Sequence, residues 1–526
     1  MTYAVFIPEI VLISAALLIL ILGFFTKRRP EVLWAIALVS VLVALVATLD
    51  MMGLSLTHAL GLNLWSSPLN TADGNFQDQL KMHVDLFALF FHVVFLLVAF
   101  LVVLASRGFI SKDEPHQAEY YTLLFFAVSG MMFVVAATDL IVLYLAFEVS
   151  SLSTFALTAY RKKDKKASEA SMKFFVIGAV SSAIILFGIS LIYGVTGSTG
   201  FGATMDLVGI RQGLASSVPA MEPPVIVGIV FLLAGFGFKV AVVPFHMWAP
   251  DVYEGAPTTI TAFLAAGSKK VGIAALIKIF LVALIAVQAD WVIALAILAI
   301  ATQTVANFVA ISQKSVKRML AYSSIAHAGY ILIAIVVGSI LGTTQPGNLD
   351  YAGKFDVAAY SLAGGLYHVL THAIMTAGAF IIVAAAATCM IGDSFDDYRG
   401  LARRMPFMAI SMVILLFSLA GIPPLGGFFS KLVLFSSAVN AGSYSMWFIA
   451  LAISGVLNSA LSLYYYARLI WYMYVLEPAN KDRLKVSKSM TVAVAITVIL
   501  IIVLGLAAQP FISYAQDAAR GFLRPI

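Results

Sequence analysis

Only one cysteine, Cys389, stands in the 526 residues. One cysteine excludes a disulfide framework, a cysteine-held iron–sulfur cluster and a cysteine zinc site within this chain. Charge is scarce as well. Asp, Glu, Lys and Arg make up 11% of the residues, where soluble domains average about a quarter. No Gly-rich phosphate loop, flavin fingerprint or cluster of metal-ligating side chains is present, so the chain does no redox chemistry itself. The first apolar run, Val5 to Phe25, follows no basic region and meets no small-residue cleavage site, so it reads as a retained helix.

What fills the chain is apolar sequence: 62% hydrophobic residues and a mean hydropathy of +1.00. These values describe an all-α polytopic membrane protein. Windows of about twenty apolar residues place fourteen spans at 5–25, 32–52, 84–105, 119–137, 139–160, 168–194, 223–245, 257–286, 290–311, 316–341, 357–391, 405–439, 445–475 and 488–508. Segment 53–83 is polar and 195–222 is Gly/Ser-rich, and both read as loops. The basic residues sort by loop parity. Twenty Lys and Arg fall in odd-numbered loops, whereas the even loops and the C-terminal tail hold Lys81, Arg211, Lys354, Arg520 and Arg524. Positive loops face the cytoplasm, which puts both termini on the outer side. This placement accounts for the net charge of +6 without nucleic acid.

Seven basic residues remain inside spans: Lys173, Lys239, Lys269, Lys270, Lys278, Lys431 and Arg468. A charge in an apolar run costs several kcal/mol, and in membranes such residues usually mark an ion or proton path. The acid Glu148 lies nine residues from Asp139 and thirteen from Arg161, about 13 and 20 Å from the ends of its helix and hence near mid-membrane. Lys239 and Glu148 form a candidate acid–base pair, because a lysine whose carboxylate partner engages and releases it is a switchable proton carrier. Lys269 and Lys270 stand about 100° apart on one helix, so one of them at most is expected to face the site. Lys278 lies nearer the outer end, Lys173 is close enough to a basic loop to snorkel, and Arg468 reads as an interface anchor. His368 and His372 share a helix face at i and i+4. With His327 they fit relay groups, since neutral imidazole both donates and accepts. A bis-histidine haem would need ligands on two facing helices.

Two spans carry their lysine beside helix breakers. Lys239 sits with Gly235, Gly237 and Pro244, and Lys431 ends the run GIPPLGGFFSK. These spans are five apart in order and so cross in opposite senses, with the proline after the lysine in one and before it in the other. Paired interrupted helices of this kind point to inverted repeats around a transport site.

The stretch Val243–Lys269, VPFHMWAPDVYEGAPTTITAFLAAGSK, resembles the signature of the antiporter-like subunits of respiratory complex I. Its PDVYEGAP form resembles the N type, the counterpart of mitochondrial subunit 2. Supporting stretches are Asp139–Tyr160, KRMLAYSSIAHAGY at Lys317–Tyr330 and LAGIPPLGGFFSK at Leu419–Lys431, and the likeness spans roughly 119–475. The resemblance implies a proton-translocating subunit driven by electron transfer elsewhere in a proton-translocating NADH:quinone oxidoreductase. It implies two inverted five-helix repeats with broken helices 7 and 12. The expected layout is an N-terminal segment at 1–110, repeats at 119–286 and 290–475, and a C-terminal helix and tail at 488–526.

The resemblance assigns Glu148 as the fifth-helix glutamate, Lys239 as the broken-seventh lysine, Lys269 as the eighth-helix lysine and Lys431 as the broken-twelfth lysine. Lys173 matches a sixth-helix lysine, and His327, His368 and His372 fall on the family's central hydrophilic axis. Lys270 departs from the pattern, which has a small residue there. NADH, FMN, Fe–S clusters and quinone are expected in partner subunits and no cofactor in this chain. The expected partners are other membrane and peripheral subunits, including neighbouring antiporter-like ones, in a bacterial or archaeal plasma membrane. Reduced ferredoxin or a deazaflavin feeds related complexes. Two other classes remain open: an Mrp-type cation/proton antiporter, and a redox membrane subunit holding haem or quinone.

Overall fold

The computed structural model describes residues 4–25, 30–53, 81–110, 116–202, 209–216, 222–343, 348, 350–478 and 482–524. Most of the polar loop expected at 53–83 lies outside the described residues, as do Lys27, Arg28, Arg29, Lys112 and Lys481. Among the described residues there is no β-strand. Thirteen helices there are long and apolar enough to cross a membrane.

In chain order the helices are α1 (Ile7–Phe25), α2 (Pro30–Met51), α3 (Leu86–Phe109), α4 (Gln117–Ala136), α5 (Leu140–Thr158) and α6 (Lys165–Thr196). Next come α7 (Glu222–Val240), a short α8 (Trp248–Gly255) and α9 (Thr258–Ala283). Then follow α10 (Gln288–Ser312), α11 (Val316–Gly338) and α12 (Tyr351–Thr388). The series ends with α13 (Pro406–Ala420), α14 (Gly426–Asn440), α15 (Met446–Tyr474), α16 (Lys488–Leu506) and α17 (Ala508–Leu523). The twelfth expected span, 405–439, is the pair α13 and α14, interrupted at 421–425. Polar residues start the helices where the apolar runs begin. Asp85, Asp139, Asp164, Ser315, Ser445 and Ser487 each accept a backbone N–H in the first turn, which satisfies donors that a helix start leaves open. Burial pushes the Asp139 carboxyl up, but bonds from Lys81, Thr199 and the Ile141 amide outweigh it and hold it below the usual carboxylate value.

The sequence reading and the structure differ in two stretches outside the spans. The Gly/Ser-rich segment 195–222 contains a short helix, Ile210–Ser216. The C-terminal tail is also helical. Apolar residues recur along α17 at Ile512, Ala515, Ala519 and Phe522 and are buried, with the Phe522 ring stacked on Phe87 of α3 at 4.3 Å. Three- and four-residue spacing gives this helix one apolar stripe, and it is too short and polar to register as a span.

Helices α9, α11 and α12 form the centre and are buried almost all round. Around them, α5, α6, α10 and α15 turn large apolar residues outward, including Leu145, Val180, Phe308 and Val456. Such a surface suits lipid or neighbouring subunits rather than water.

Candidate functional site

Both interrupted spans place a lysine at the interruption. α7 ends at Val240, and Ala241 takes a left-handed backbone at φ 61°. The groups freed by the break are taken up again: Trp248 Nε1 donates to Phe238 O at 2.9 Å, and Val243 N donates to Thr302 Oγ1 at 3.1 Å. This is the condition under which irregular backbone persists at membrane depth. In the second break Gly421, at φ 89°, ends α13 in a left-handed cap that favours glycine. Gly427 seats α14 against α13 so closely that a Cβ there would lie 1.8 Å from Ser418 O.

Lys239, in the last turn of α7, is buried and donates to Ser151 Oγ at 2.8 Å. Glu148, one turn before Ser151 on α5, has Oε1 4.0 Å from the Lys239 Nζ and accepts from Ser182 Oγ at 2.6 Å. A separation of 4.0 Å is an ion-pair contact beyond direct hydrogen bonding. The lysine is thus held by a serine, with its carboxylate one small movement away. The rings of Phe147 and Phe155, at 5.1 and 5.6 Å, face the ammonium and favour its charged form without giving it an acceptor.

At the centre Lys269 Nζ donates to Ser324 Oγ of α11 at 2.8 Å and lies 5.4 Å from the Tyr253 ring. Lys270 points elsewhere, with its Nζ 2.6 Å from His372 Nδ1 on α12. The expectation that at most one of the two faces the site therefore does not hold. α9 is enclosed by α11 on one side and α12 on another, so side chains 100° apart both meet polar partners. The stretch Lys269–Lys278 also lies between two π-helical stretches, Leu264–Ser268 and Ile279–Ala283, which shift helix phase and are frequent at functional sites.

The histidines continue the line. A charged Lys270 can only donate, so His372 Nδ1 accepts and its proton sits on Nε2, which lies 3.2 Å from Thr376 Oγ1. The His372 and His327 ring centroids are 4.5 Å apart. His327 Nδ1 is 2.9 Å from His368 Nε2, and His368 Nδ1 is 2.9 Å from Ser430 Oγ. Each neutral imidazole donates from one nitrogen and accepts at the other, so the chain His327–His368–Ser430 runs in one of two senses, and passage of a proton reverses it; His372 meets it by ring contact, with His327 Nε2 left without a hydrogen-bond partner among the described residues. Ser430 neighbours Lys431, whose Nζ donates to Leu419 O at 2.7 Å, Ala420 O at 3.2 Å and Ser459 Oγ at 2.8 Å. The two carbonyls end α13, where a helix leaves acceptors open and its dipole is negative.

The structure thus gathers Glu148 with Lys239 in one group, and Lys270, His372, His327, His368 and Lys431 in another, with Lys269 beside them on α9. Lys173 stands apart. It is half-exposed and pairs with Glu169 at 2.8 Å and Asp251 at 3.0 Å, near a cavity shared with Arg318 and Glu254. A second cavity of about 570 Å³, whose lining includes Arg161, Asp164, Lys317 and Asp393, opens beside Pro257 and Thr258 at the start of α9. Arg468, read as an anchor, donates to Ile311 O at 2.8 Å and to Gln313 O. Among the described residues no group of three or more His, Cys, Asp and Glu could hold a metal ion.

Sequence reasoning missed several functional-looking groups. Tyr330, within 5.3 Å of His327 and 5.2 Å of Lys431 by ring centroid, leads into a buried net with Asn307 and Tyr465. These neutral polar residues are common in helices and give no charge signal. Glu9, fully buried beside His92, was signalled only by an acid inside the first apolar run.

Comparison with known proteins follows this geometry. The family model described as NADH:quinone oxidoreductase/Mrp antiporter, TM matches residues 137–346 and 354–457. The chain is 41% identical over 525 residues to F(420)H(2) dehydrogenase subunit N of Methanosarcina mazei, covering 97% of each. It is 37% identical to NADH-quinone oxidoreductase subunit N of Trichlorobacter lovleyi, covering 98% of this chain and 96% of that one. Among solved structures, a chain of respiratory complex I from Thermus thermophilus superposes with a TM-score of 0.74 at 27% identity, over 96% of this chain and 99% of that chain. A chain of the membrane-bound sulfane sulfur reductase, an archaeal respiratory membrane complex, gives 0.79 at 25% identity, over 99% and 98%.

Proposed function

Because this chain belongs to the NADH:quinone oxidoreductase/Mrp antiporter family of membrane subunits, we propose that it moves protons across the membrane as one subunit of a larger respiratory complex, driven by electron transfer to quinone in partner subunits. The observation that carries this reading is the set of buried and part-buried titratable side chains at mid-span. Glu148 lies eight residues from one end of α5 and ten from the other. His327 is eleven from each end of α11, and Lys269 and Lys270 are midway along the eighth span. Such groups are expensive in a bilayer and useful for relaying protons.

In this reading Glu148 and Lys239 form a gate. Engagement of the carboxylate stabilises the charged lysine, and its release favours handing the proton onward. Lys269 and Lys270 take it up at the centre, His372, His327 and His368 relay it, and Lys431 holds it at the second break. The cavity beside Thr258, lined by basic and acidic residues, serves as the water-filled inlet. The odd loops face the cytoplasm and both termini lie outside, in the plasma membrane of a bacterium or archaeon. NADH, FMN, Fe–S clusters and quinone belong to the partner subunits.

The 41% identity to a subunit of an F(420)H(2) dehydrogenase favours a second reading of the electron donor, a reduced deazaflavin in place of NADH. One experiment tests both. The complex is purified from native membranes through a tag on this chain, returned to vesicles with quinone, and offered each donor while lumen acidification is followed. Co-purifying dehydrogenase subunits and donor-driven acidification support the proposal. Sodium-driven proton exchange without any quinone reductase would replace it with an antiporter.

A further inference from the structure

A second buried polar cluster lies away from the row, at the outer ends of the N-terminal helices. Glu9 sits in the first turn of α1 and His92 two turns into α3, and both are fully buried. The Glu9 Oε1 is 3.6 Å from His92 Nε2, and that nitrogen is 3.2 Å from Met132 O on α4. A carbonyl oxygen can only accept, so the Nε2 carries hydrogen. Three residues further along α4, Val135 O accepts from Lys278 Nζ of α9. Residues three apart share a helix face about 4.5 Å apart along the axis. His92 and Lys278 therefore dock on neighbouring carbonyls of one helix end and interact electrostatically. Lys278 also feels the charge of Asp85, the residue that caps α3 at the outer surface.

A structural tie would look different. Buried polar pairs that serve only to hold helices satisfy their remaining lone pairs and protons. Here both Glu9 carboxyl oxygens and His92 Nδ1 are buried without a hydrogen-bond partner among the described residues. An acid and a base in contact, each with open valence for a proton or a water, form a group that can change its protonation. Lys278 lies eight residues beyond Lys270 on the same helix, about 12 Å nearer the outer side, and a π-helical stretch follows it directly.

Building on the proton-translocation reading, we propose that Glu9, His92 and Lys278 form a proton-release station at the outer side of the N-terminal three helices, separate from Lys431. The Lys278 ammonium gives up one proton and becomes an amine. The Glu9–His92 pair takes that proton, on the carboxylate or on Nδ1, and passes it to water beside the exposed flank of Asp85. The amine is recharged from the Lys269–Lys270 centre, so charge is conserved at each transfer.

The test uses the intact complex in vesicles, with proton release measured against quinone reduced. Glu9→Gln keeps the size of the side chain and removes its titration. The expected result is an assembled complex with a lower proton-to-electron ratio, and loss of a protonated-carboxyl band from its infrared difference spectrum on turnover. Lys278→Met should give the same loss of ratio, and the double variant no more than either alone, because the groups act in one line. Should Glu9→Gln fail to assemble, Lys278→Met and the infrared band of the wild-type complex decide. Lys239→Ala separates the two readings. A wild-type ratio in Glu9→Gln and Lys278→Met, with pumping and quinone reduction both lowered in Lys239→Ala, overturns the release station alone. Wild-type ratio and wild-type turnover in all three overturn the proton-path reading itself.

Discussion

Replacing Lys431 by arginine separates charge from titration. The lysine is buried and its three acceptors, Leu419 O, Ala420 O and Ser459 Oγ, lie 2.7–3.2 Å away. Leu419 O and Ala420 O are carbonyls at the end of α13, and of the two Ala420 O also accepts from Ser459 Oγ at 3.1 Å, so Leu419 O is the one left to the lysine whether or not a proton is ever passed. Arginine brings five donors and keeps the charge, so the Lys431→Arg complex should assemble. Lys431→Ala leaves the Leu419 carbonyl without its lysine donor, at about 1–3 kcal/mol, and should lower the yield of intact complex. Proton transfer divides the variants differently. Arginine's reference value lies about 2–3 units above that of lysine, and each unit is about 1.4 kcal/mol. Releasing a proton from arginine at the same site therefore costs about 3–4 kcal/mol more, a slowing of roughly 10²–10³ if that step limits flux. The assay is acidification of inverted vesicles per quinone reduced, normalised to assembled complex. Lys431→Arg should pump nearly as poorly as Lys431→Ala. Near-normal pumping by the arginine variant would show that only the charge is needed, and would remove Lys431 from the proton path.

Lys239→Ala and Glu148→Ala should each lower pumping and quinone reduction together while native gels still show the intact complex; normal turnover in either variant sinks the gate. Gly427→Ala places a Cβ 1.8 Å from Ser418 O, backbone that cannot step aside, so thermal unfolding in detergent should shift down by the equivalent of about 1–3 kcal/mol, and an unchanged melting profile would contradict the close seating of α14 on α13. Single cysteines at Lys163 and Thr199 should label from opposite sides of the membrane, the former from the cytoplasm, and same-side labelling would mean that the span count between them is wrong by an odd number.

The lysines and the breaks were legible because both violate the composition around them. A charge in an apolar run, or proline with glycine inside a span, is visible without knowing any neighbour. What stayed hidden depended on neighbours. Glu9 lies close to the end of its apolar run, where an acid reads as surface, and it is buried because α3 and α4 close over it. Whether Lys269 or Lys270 meets the site could not follow from a 100° step, since both flanks of α9 are polar. Proximity of Lys173 to a basic loop was readable, but its pairing with Asp251 depends on α8 folding back beside α6. The helical tail was missed because a stripe of alanines and a few large apolar residues has too little hydropathy to register.

The depth at which the polar row lies also decides what the membrane voltage can act on. Carrying one charge across the full membrane is worth about 2.3 kcal/mol per 100 mV. Glu148, Lys270 and His327 all stand near the middle of their spans, so a charge passed among them moves sideways at nearly constant depth. Those steps do almost no work against the field. On the proposed path the whole electrical load then falls on two vertical legs, from the proposed inlet at Thr258 to the centre and from the centre outward. Substitutions along the histidines should alter rate equally at every voltage, while substitutions in the vertical legs should change how steeply turnover declines as the voltage rises.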